Sequence, residues 1–227
     1  MSGEEDISSS ELGTKEFWES CYQREISNYL DHQDIGEVWF GGGLAARIVK
    51  EVQKNLEHTS KPVLDIGCGN GHLIVALAKQ AGFTNLTGLD YASKSIEFTR
   101  KICQHNDIGE EKVRLYTVDF LNLPEYLINC SKWHFAIDKG TFDAICLNPE
   151  MNVEQARGKY LASLKAVLEK DGLFLIASCN WTQEELVRFF QGSGFLALHN
   201  SIETPKIQFG GKTGNNVACM IFKHTIG

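Results

Sequence analysis

A glycine-rich turn preceded by an acid is the part of this sequence best suited to bind a ligand. Residues 63–71 read VLDIGCGNG, and Asp65 stands two positions before the first glycine. Glycines let a strand bend sharply into a helix and let a ligand approach the main chain. His72 occupies the position of the third glycine in a dinucleotide-binding fingerprint. We therefore expect a nucleoside ligand other than a dinucleotide at Gly67, Cys68, Gly69 and Gly71.

Acidic residues recur where the next two predicted strands end. Asp90 closes the second strand and Asp119 the third. An acid in the place of Asp90 can bind both hydroxyls of a ribose, and Asp119 can accept from an adenine amino group. Tyr91 and Phe120 follow these acids and would pack against the nucleoside. The pattern fits adenosine with a cationic amino-acid tail on Asp65. The alternative is three unrelated aspartates that cap the following helices.

Short apolar strands alternate with amphipathic helices from Pro62 onward, which predicts the frame that positions these residues. The last two strands are too close in sequence for a crossover helix, so we expect them to pair antiparallel. The fold class is α/β, a single doubly wound Rossmann-like sheet. Three segments follow from this pattern: a disordered acidic tail (1–10), N-terminal helices with a lid loop (11–60) and the ligand-binding domain (61–227). The predicted strands are 63–66, 86–89, 113–118, 133–137, 173–178, 196–202 and 217–222.

The glycine turn and its acids resemble the S-adenosylmethionine-binding motifs of the class I, seven-β-strand methyltransferases, over residues 60–223. This resemblance implies strand order 3-2-1-4-5-7-6 with the last strand antiparallel, and S-adenosylmethionine as cofactor. A narrower similarity is to the elongation factor 1-alpha lysine methyltransferases of the methyltransferase-like 10 type. It implies that the partner is a protein, translation elongation factor 1-alpha, methylated on a lysine. The matching segments are 12–18 (LGTKEFW), 34–41 (DIGEVWFG), 138–144 (DKGTFDA), 178–182 (SCNWT) and 204–211 (TPKIQFGG). The chain departs from the pattern at Gly42 and Gly43, where relatives carry acids.

Methyl transfer to a lysine requires the neutral amine, whereas a free lysine has a pKa of about 10.4. An acid near the methyl group could orient the amine or pass its proton to water. Asp138, at the end of the predicted fourth strand, is the candidate catalytic acid. Its alternative role is to cap a turn or to hold the amino group of the cofactor. The candidate walls of the lysine channel are Trp39, Phe40, Asn180, Trp181 and Phe209.

Composition narrows the remaining possibilities. A net charge of −7 argues against nucleic acid as a partner and suits a basic protein. No apolar run is long enough to span a membrane. Seven cysteines without a CxxC pair indicate a reducing compartment and no metal site, so we expect the cytoplasm, with the nucleus as an alternative.

Two other functions stay open: a methyltransferase for another protein or a small molecule, and an inactive cofactor-binding scaffold.

Overall fold

Apolar β-strands and amphipathic helices alternate along the chain and build one layered domain. The computed structural model describes residues 8–130, 132–204, 206–209, 212–215 and 217–225. The helices are α1 (Lys15–His32), α2 (Gly41–Asn55), α3 (His72–Lys79), α4 (Ser93–His105), α5 (Glu125–Cys130), α6 (Thr141–Cys146), α7 (Val153–Val167) and α8 (Gln183–Gly192), with short 3-10 helices at Glu11–Gly13 and Phe120–Asn122. The strands are β1 (Val63–Ile66), β2 (Leu86–Asp90), β3 (Val113–Thr117), β4 (Trp133–Lys139), β5 (Leu168–Ser178), β6 (Leu196–Ser201), β7 (Lys206–Phe209), β8 (Lys212–Asn215) and β9 (Ala218–His224).

Seven of these strands form the main sheet, in the order β3-β2-β1-β4-β5-β9-β6. Strand β9 runs antiparallel to both of its neighbours, β5 and β6. Counted without the small ribbon of β7 and β8, this order is 3-2-1-4-5-7-6, so the predicted topology is confirmed. The ribbon itself was not predicted.

The two faces of the sheet carry separate apolar cores, and strand alternation decides which residue enters which core. One face, called face A, carries Val63, Phe135 and Ile137 and packs against α2 and α3. The opposite face, called face B, carries Leu64 and Ile66 and packs against α7 and α8. Because neighbouring residues on a strand point to opposite faces, a shift of one position moves a side chain from one core to the other.

Strand β4 shows this effect directly. It continues to Lys139, two residues beyond the predicted end at Ile137. Asp65 pairs with Ile137, and Ile66 pairs with Asp138. Asp65, Ile137 and Lys139 therefore share face A. Asp138 lies on face B.

The N-terminal helices pack onto the sheet domain. Tyr22 and Ile26 of α1 share a buried apolar cluster with Phe98 and Ile102 of α4. Residues 1–7 of the predicted tail lie outside the described residues. At its other end, Ser10 donates its backbone N–H to the carbonyl of Leu147 at 3.0 Å, so this last residue of the predicted disordered tail is held in place. Of the helices in the described ranges, none combines the length and apolarity needed to cross a membrane.

Candidate active site

A cavity of ≈ 240 Å³ opens at the carboxyl edge of the sheet, where the glycine turn meets the N-terminal segment. Nearly all residues predicted to bind the nucleoside line it: Asp65, Gly67, Cys68, Gly69, Asp90, Tyr91, Asp119 and Phe120. Gly71 is the exception, because it is buried behind the turn at the start of α3. The residues predicted at the strand ends thus form one continuous wall of the cavity.

Three glycines of the turn have φ values that other residues rarely adopt: +69° at Gly67, +58° at Gly69 and +74° at Gly71. A Cβ atom at Gly67 would overlap the hydroxyl of Thr141, and one at Gly71 would lie 2.6 Å from Cγ2 of Thr99. The Thr141 hydroxyl donates to the carbonyl of Ile66 at 2.7 Å. Only glycine allows the turn to approach these side chains so closely.

The three predicted acids differ in how their carboxylates are satisfied. Asp90 accepts from the backbone N–H of Gly69 at 3.0 Å and of Ala92 at 2.9 Å. Asp119 accepts from the N–H of Leu121 at 2.8 Å and from the amide of Asn122 at 2.5 Å. Both acids therefore also cap local structure, as the alternative interpretation had it. Their remaining lone pairs stay available to a ligand.

Asp65 is different, because the residue is only 3% exposed and no described residue donates a hydrogen bond to its carboxylate. Burial raises the pKa of this carboxyl from 3.8 to about 7, while the charge of Lys139 opposes the increase. A buried acid without a donor is costly unless a ligand supplies one. Asp65 is thus the carboxylate of the cavity that most needs a hydrogen-bond donor from a ligand.

Asp138, the predicted catalytic acid, is misplaced for that role. Its side chain is 0% exposed and lies on face B, away from the cavity wall. It accepts from the backbone N–H of Thr141 at 2.9 Å and of Phe142 at 3.0 Å, and from the Tyr160 hydroxyl at 2.7 Å. We therefore correct the catalytic assignment, since Asp138 caps helix α6 and anchors α7.

Three charged residues that sequence reasoning missed line the cavity: Glu37, Lys139 and Asp143. Lys139 follows Asp138 on strand β4 and enters from face A. Asp143, in α6, accepts from the hydroxyl of Ser178 at 2.5 Å and from the N–H of Cys179 at 2.9 Å. Burial raises the pKa of Asp143. The available signal was its place in the first turn of α6, three residues after the N-cap Gly140.

The predicted channel residues divide into two groups. Trp39, Phe40 and Asn180 line the cavity. Trp181 does not, which corrects that prediction: its ring stacks on the guanidinium of Arg157, 4.1 Å from the ring centroid, and faces Phe142. Phe209 belongs to strand β7, but the side chains of residues 205–216 lie outside the described part of the chain.

The N-terminal segment covers the cavity from outside the sheet. The predicted lid loop is the segment 33–40 between α1 and α2. The side-chain amide of Asn70 donates to two of its carbonyls, those of Ile35 at 3.1 Å and Glu37 at 2.9 Å, and so links the glycine turn to the lid loop. Trp39 packs edge-on against Trp18 of α1, with ring centroids 5.4 Å apart. These contacts hold the lid loop against the glycine turn and against α1.

The start of α2 explains how the chain tolerates its glycines at 42 and 43. Phe40 takes a left-handed φ of +66°, which is strained for a bulky residue, and Gly41 follows at +79°. A Cβ at Gly42 or Gly43 would meet nothing within 4 Å. These two glycines therefore stand in open space, where acidic side chains would fit without rearrangement.

The arrangement can bind a nucleoside with a charged tail, but it offers no sign of metal chemistry. Within the described residues, no group of three or more His, Cys, Asp and Glu side chains could hold a metal ion. The polar groups of the cavity include the carboxylates, Lys139, His72 and the side-chain amides of Asn70 and Asn180. Such a site aligns reactants instead of supplying a nucleophile.

Comparison with known proteins shows the family. Residues 57–211 match a family model described as a methyltransferase domain. The chain is 43% identical to eEF1A lysine methyltransferase 2 of Danio rerio, over 97% of this chain and 91% of that protein. It is 44% identical to the Homo sapiens protein of the same name, over 97% of this chain and 90% of that one. It is 34% identical to protein-lysine N-methyltransferase efm4 of Schizosaccharomyces pombe, over 98% and 97%.

Solved structures agree at the level of the fold. A magnesium protoporphyrin IX methyltransferase from Synechocystis, solved with S-adenosylhomocysteine, matches with a TM-score of 0.64 at 13% identity, over 93% of this chain and 97% of that chain. An S-adenosylmethionine-dependent methyltransferase from Clostridium acetobutylicum gives a TM-score of 0.64 at 13% identity, over 90% and 99%. The chain thus belongs to the class I S-adenosylmethionine-dependent methyltransferases, in the family of eEF1A lysine methyltransferase 2 and the EFM4 protein-lysine N-methyltransferases.

Proposed function

We propose that this protein transfers methyl groups from S-adenosylmethionine to a lysine of translation elongation factor eEF1A. The observation that carries the proposal is similarity along nearly the whole chain, lid segment included, to enzymes named for that activity. The lid segment supports it further, because Trp39 and Phe40 of this segment form part of the cavity wall.

The cofactor fits the residues that the structure presents. Asp65 has a buried carboxylate without a donor, which would receive the ammonium of the methionine tail. Asp90 would bind the ribose hydroxyls, and Asp119 the adenine amino group with Phe120 beneath the ring. The glycine turn presents Gly67 and Gly69 to the cavity, so a ligand there meets main chain without side chains. When bound, the cofactor supplies a methyl group already activated by a sulfonium.

The protein's own residues must then present a neutral amine. At pH 7 an unassisted lysine would cost about 4 to 5 kcal/mol to deprotonate. Apolar walls at Trp39 and Phe40 would lower the pKa of the incoming ammonium by desolvation. Asp143 lines the same cavity with a raised pKa and is fixed by Ser178 and Cys179. We assign to Asp143 the role that the sequence had suggested for Asp138: it orients the amine and accepts its proton.

Replacing Asp143 by asparagine tests that role. We expect Asp143→Asn to lower kcat for the protein substrate at least about tenfold, because the group that accepts the proton is lost. Affinity for S-adenosylhomocysteine, measured by calorimetry, should change less than about threefold, since the acid does not hold the cofactor. The pH profile of kcat should also lose its acidic limb.

Glu154→Gln is the matched control, because it removes one carboxylate from the exposed first turn of α7. That variant should retain the activity of the parent protein. Equal losses of turnover and cofactor affinity in Asp143→Asn would instead identify Asp143 as a cofactor ligand.

The substrate itself is tested with purified proteins. We expect the enzyme and methyl-labelled S-adenosylmethionine to label eEF1A on one lysine, which mass spectrometry identifies. The Asp65→Asn variant should give no label, because the cofactor is not held. If lysate proteins other than eEF1A take the label while purified eEF1A does not, the assignment to eEF1A is wrong although the enzyme class stands.

A further inference from the structure

Lys139 is a partly buried cation that no step described so far uses. It ends strand β4, shares face A with Asp65 and lines the same cavity. Its ammonium makes one long hydrogen bond, to the carbonyl of Trp39 at 3.4 Å. It also lies 6.0 Å from the ring centroid of Phe40. A lysine is placed inside a cavity at an energetic cost unless a partner compensates its charge.

Asp65 is the nearest candidate partner, but the two charges do not meet. In the described part of the chain, no carboxylate oxygen lies within 4.0 Å of the Lys139 ammonium. Each group nevertheless acts on the other: Lys139 lowers the pKa of Asp65, and Asp65 raises that of Lys139 against the larger effect of burial. Two opposite charges therefore face one cavity with a gap between them.

The third polar side chain at this place does not fill the gap. His72 lines the cavity and is partly buried, and burial, together with the charge of Lys139, lowers its pKa. A neutral imidazole cannot compensate either charge. A ligand that carries both a positive and a negative charge would compensate Asp65 and Lys139 at once.

We propose that Asp65 and Lys139 together hold the zwitterionic end of the cofactor, with the α-ammonium on Asp65 and the α-carboxylate on Lys139. The inference rests on the cofactor proposed above and extends it to a residue of this chain outside the glycine motif. The α-amino and α-carboxylate groups share one carbon, so they can face two oppositely charged side chains at once.

Two ligands that differ only in the carboxylate isolate the contribution of Lys139. S-adenosylhomocysteine carries both charges, whereas its decarboxylated analogue keeps the ammonium alone. For the parent protein, calorimetry should show at least about tenfold tighter binding of S-adenosylhomocysteine, because the analogue leaves Lys139 unpaired. In Lys139→Met, affinity for S-adenosylhomocysteine should fall at least about tenfold, while affinity for the analogue stays equal or rises.

The controls separate this inference from the proposed function. Lys101→Met, which removes a cation from the half-exposed face of α4, should bind both ligands as the parent does. Asp65→Asn should weaken both ligands, because both carry the ammonium.

Three results would overturn the assignment of Lys139: equal losses for both ligands in Lys139→Met, no loss for either, or a methyl group found on Lys139 after incubation with the cofactor. A parent protein that binds neither ligand would instead refute the proposed cofactor.

Discussion

Asp65→Asn is expected to weaken binding of S-adenosylhomocysteine at least about 30-fold, because removing one member of a buried charge pair costs 2 to 5 kcal/mol or more. The same change should leave the fold intact. In the parent protein Asp65 is 3% exposed, and its carboxylate receives no hydrogen bond from the described residues. An uncharged amide removes that cost, so the free energy of unfolding at pH 8 should be equal or higher. Calorimetry and chemical denaturation measure the two effects.

The pH dependence of binding gives an independent check of Asp65. Its pKa is raised to about 7, chiefly by burial, and only the ionised carboxylate can pair with the cofactor ammonium. Affinity should therefore fall as the pH drops below 7, by up to about tenfold per pH unit, with a proton released on binding. Asp65→Asn should lack this slope. If the parent protein bound S-adenosylhomocysteine equally well at pH 6 and pH 8, Asp65 would not be the group that holds the ammonium.

The same pKa shift also makes the stability of the ligand-free protein depend on pH. A rise in pH lowers this stability, whereas it strengthens cofactor binding. The folded carboxyl binds its proton more tightly than the unfolded one, with a pKa of about 7 against 3.8. Its contribution to stability is therefore complete below pH 3.8 and is lost as the pH rises through 7. Ligand binding reverses that loss, because it compensates the ionised form.

The sequence predicted the sheet and the nucleoside wall because both depend on short-range patterns. Asp65, Asp90 and Asp119 lie at or just beyond the carboxyl ends of parallel strands, and these ends meet at one edge of the sheet. Glycine spacing at the turn required positive φ angles, which Gly67 and Gly69 adopt. These features need no knowledge of distant contacts.

The predictions for Asp138 and Trp181 were wrong because a one-residue shift of strand register, or a contact with a residue distant in sequence, decides where the side chain lies. Ending β4 at Ile137 made Asp138 the apparent strand-end acid, whereas the strand continues and presents Lys139 to the cavity. Trp181 follows a strand at the correct edge, but its ring stacks on the guanidinium of Arg157 in α7 and does not line the cavity. The spacing of residues in the sequence cannot predict this contact with another helix. The β7–β8 ribbon lacks the alternating pattern that would have marked it as a hairpin.

The two buried acids of neighbouring strands thus have opposite roles that follow from the face each occupies. Asp65 lies on face A, without a hydrogen-bond donor among the described residues, and its removal should cost function. Asp138 lies on face B, surrounded by donors from α6 and α7. Its removal should cost stability.

Asp138→Ala is expected to lower the free energy of unfolding by about 3 kcal/mol or more, because it leaves the Tyr160 hydroxyl and the N–H groups of Thr141 and Phe142 buried without an acceptor. Chemical denaturation at pH 7.5 measures this loss. Once corrected for the folded fraction, affinity for S-adenosylhomocysteine and kcat should stay within about twofold of the parent, since the carboxylate does not reach the cavity.

Tyr160→Phe is the graded control, because it removes one donor and leaves the carboxylate with its backbone partners. It should lower the free energy of unfolding by about 1 kcal/mol without changing turnover. A variant at Asp138 that stays fully folded yet loses turnover at least tenfold, with Tyr160→Phe unaffected, would restore Asp138 as the catalytic acid. That outcome would require its carboxylate to leave three donors and cross to face A, which the register of β4 with β1 opposes.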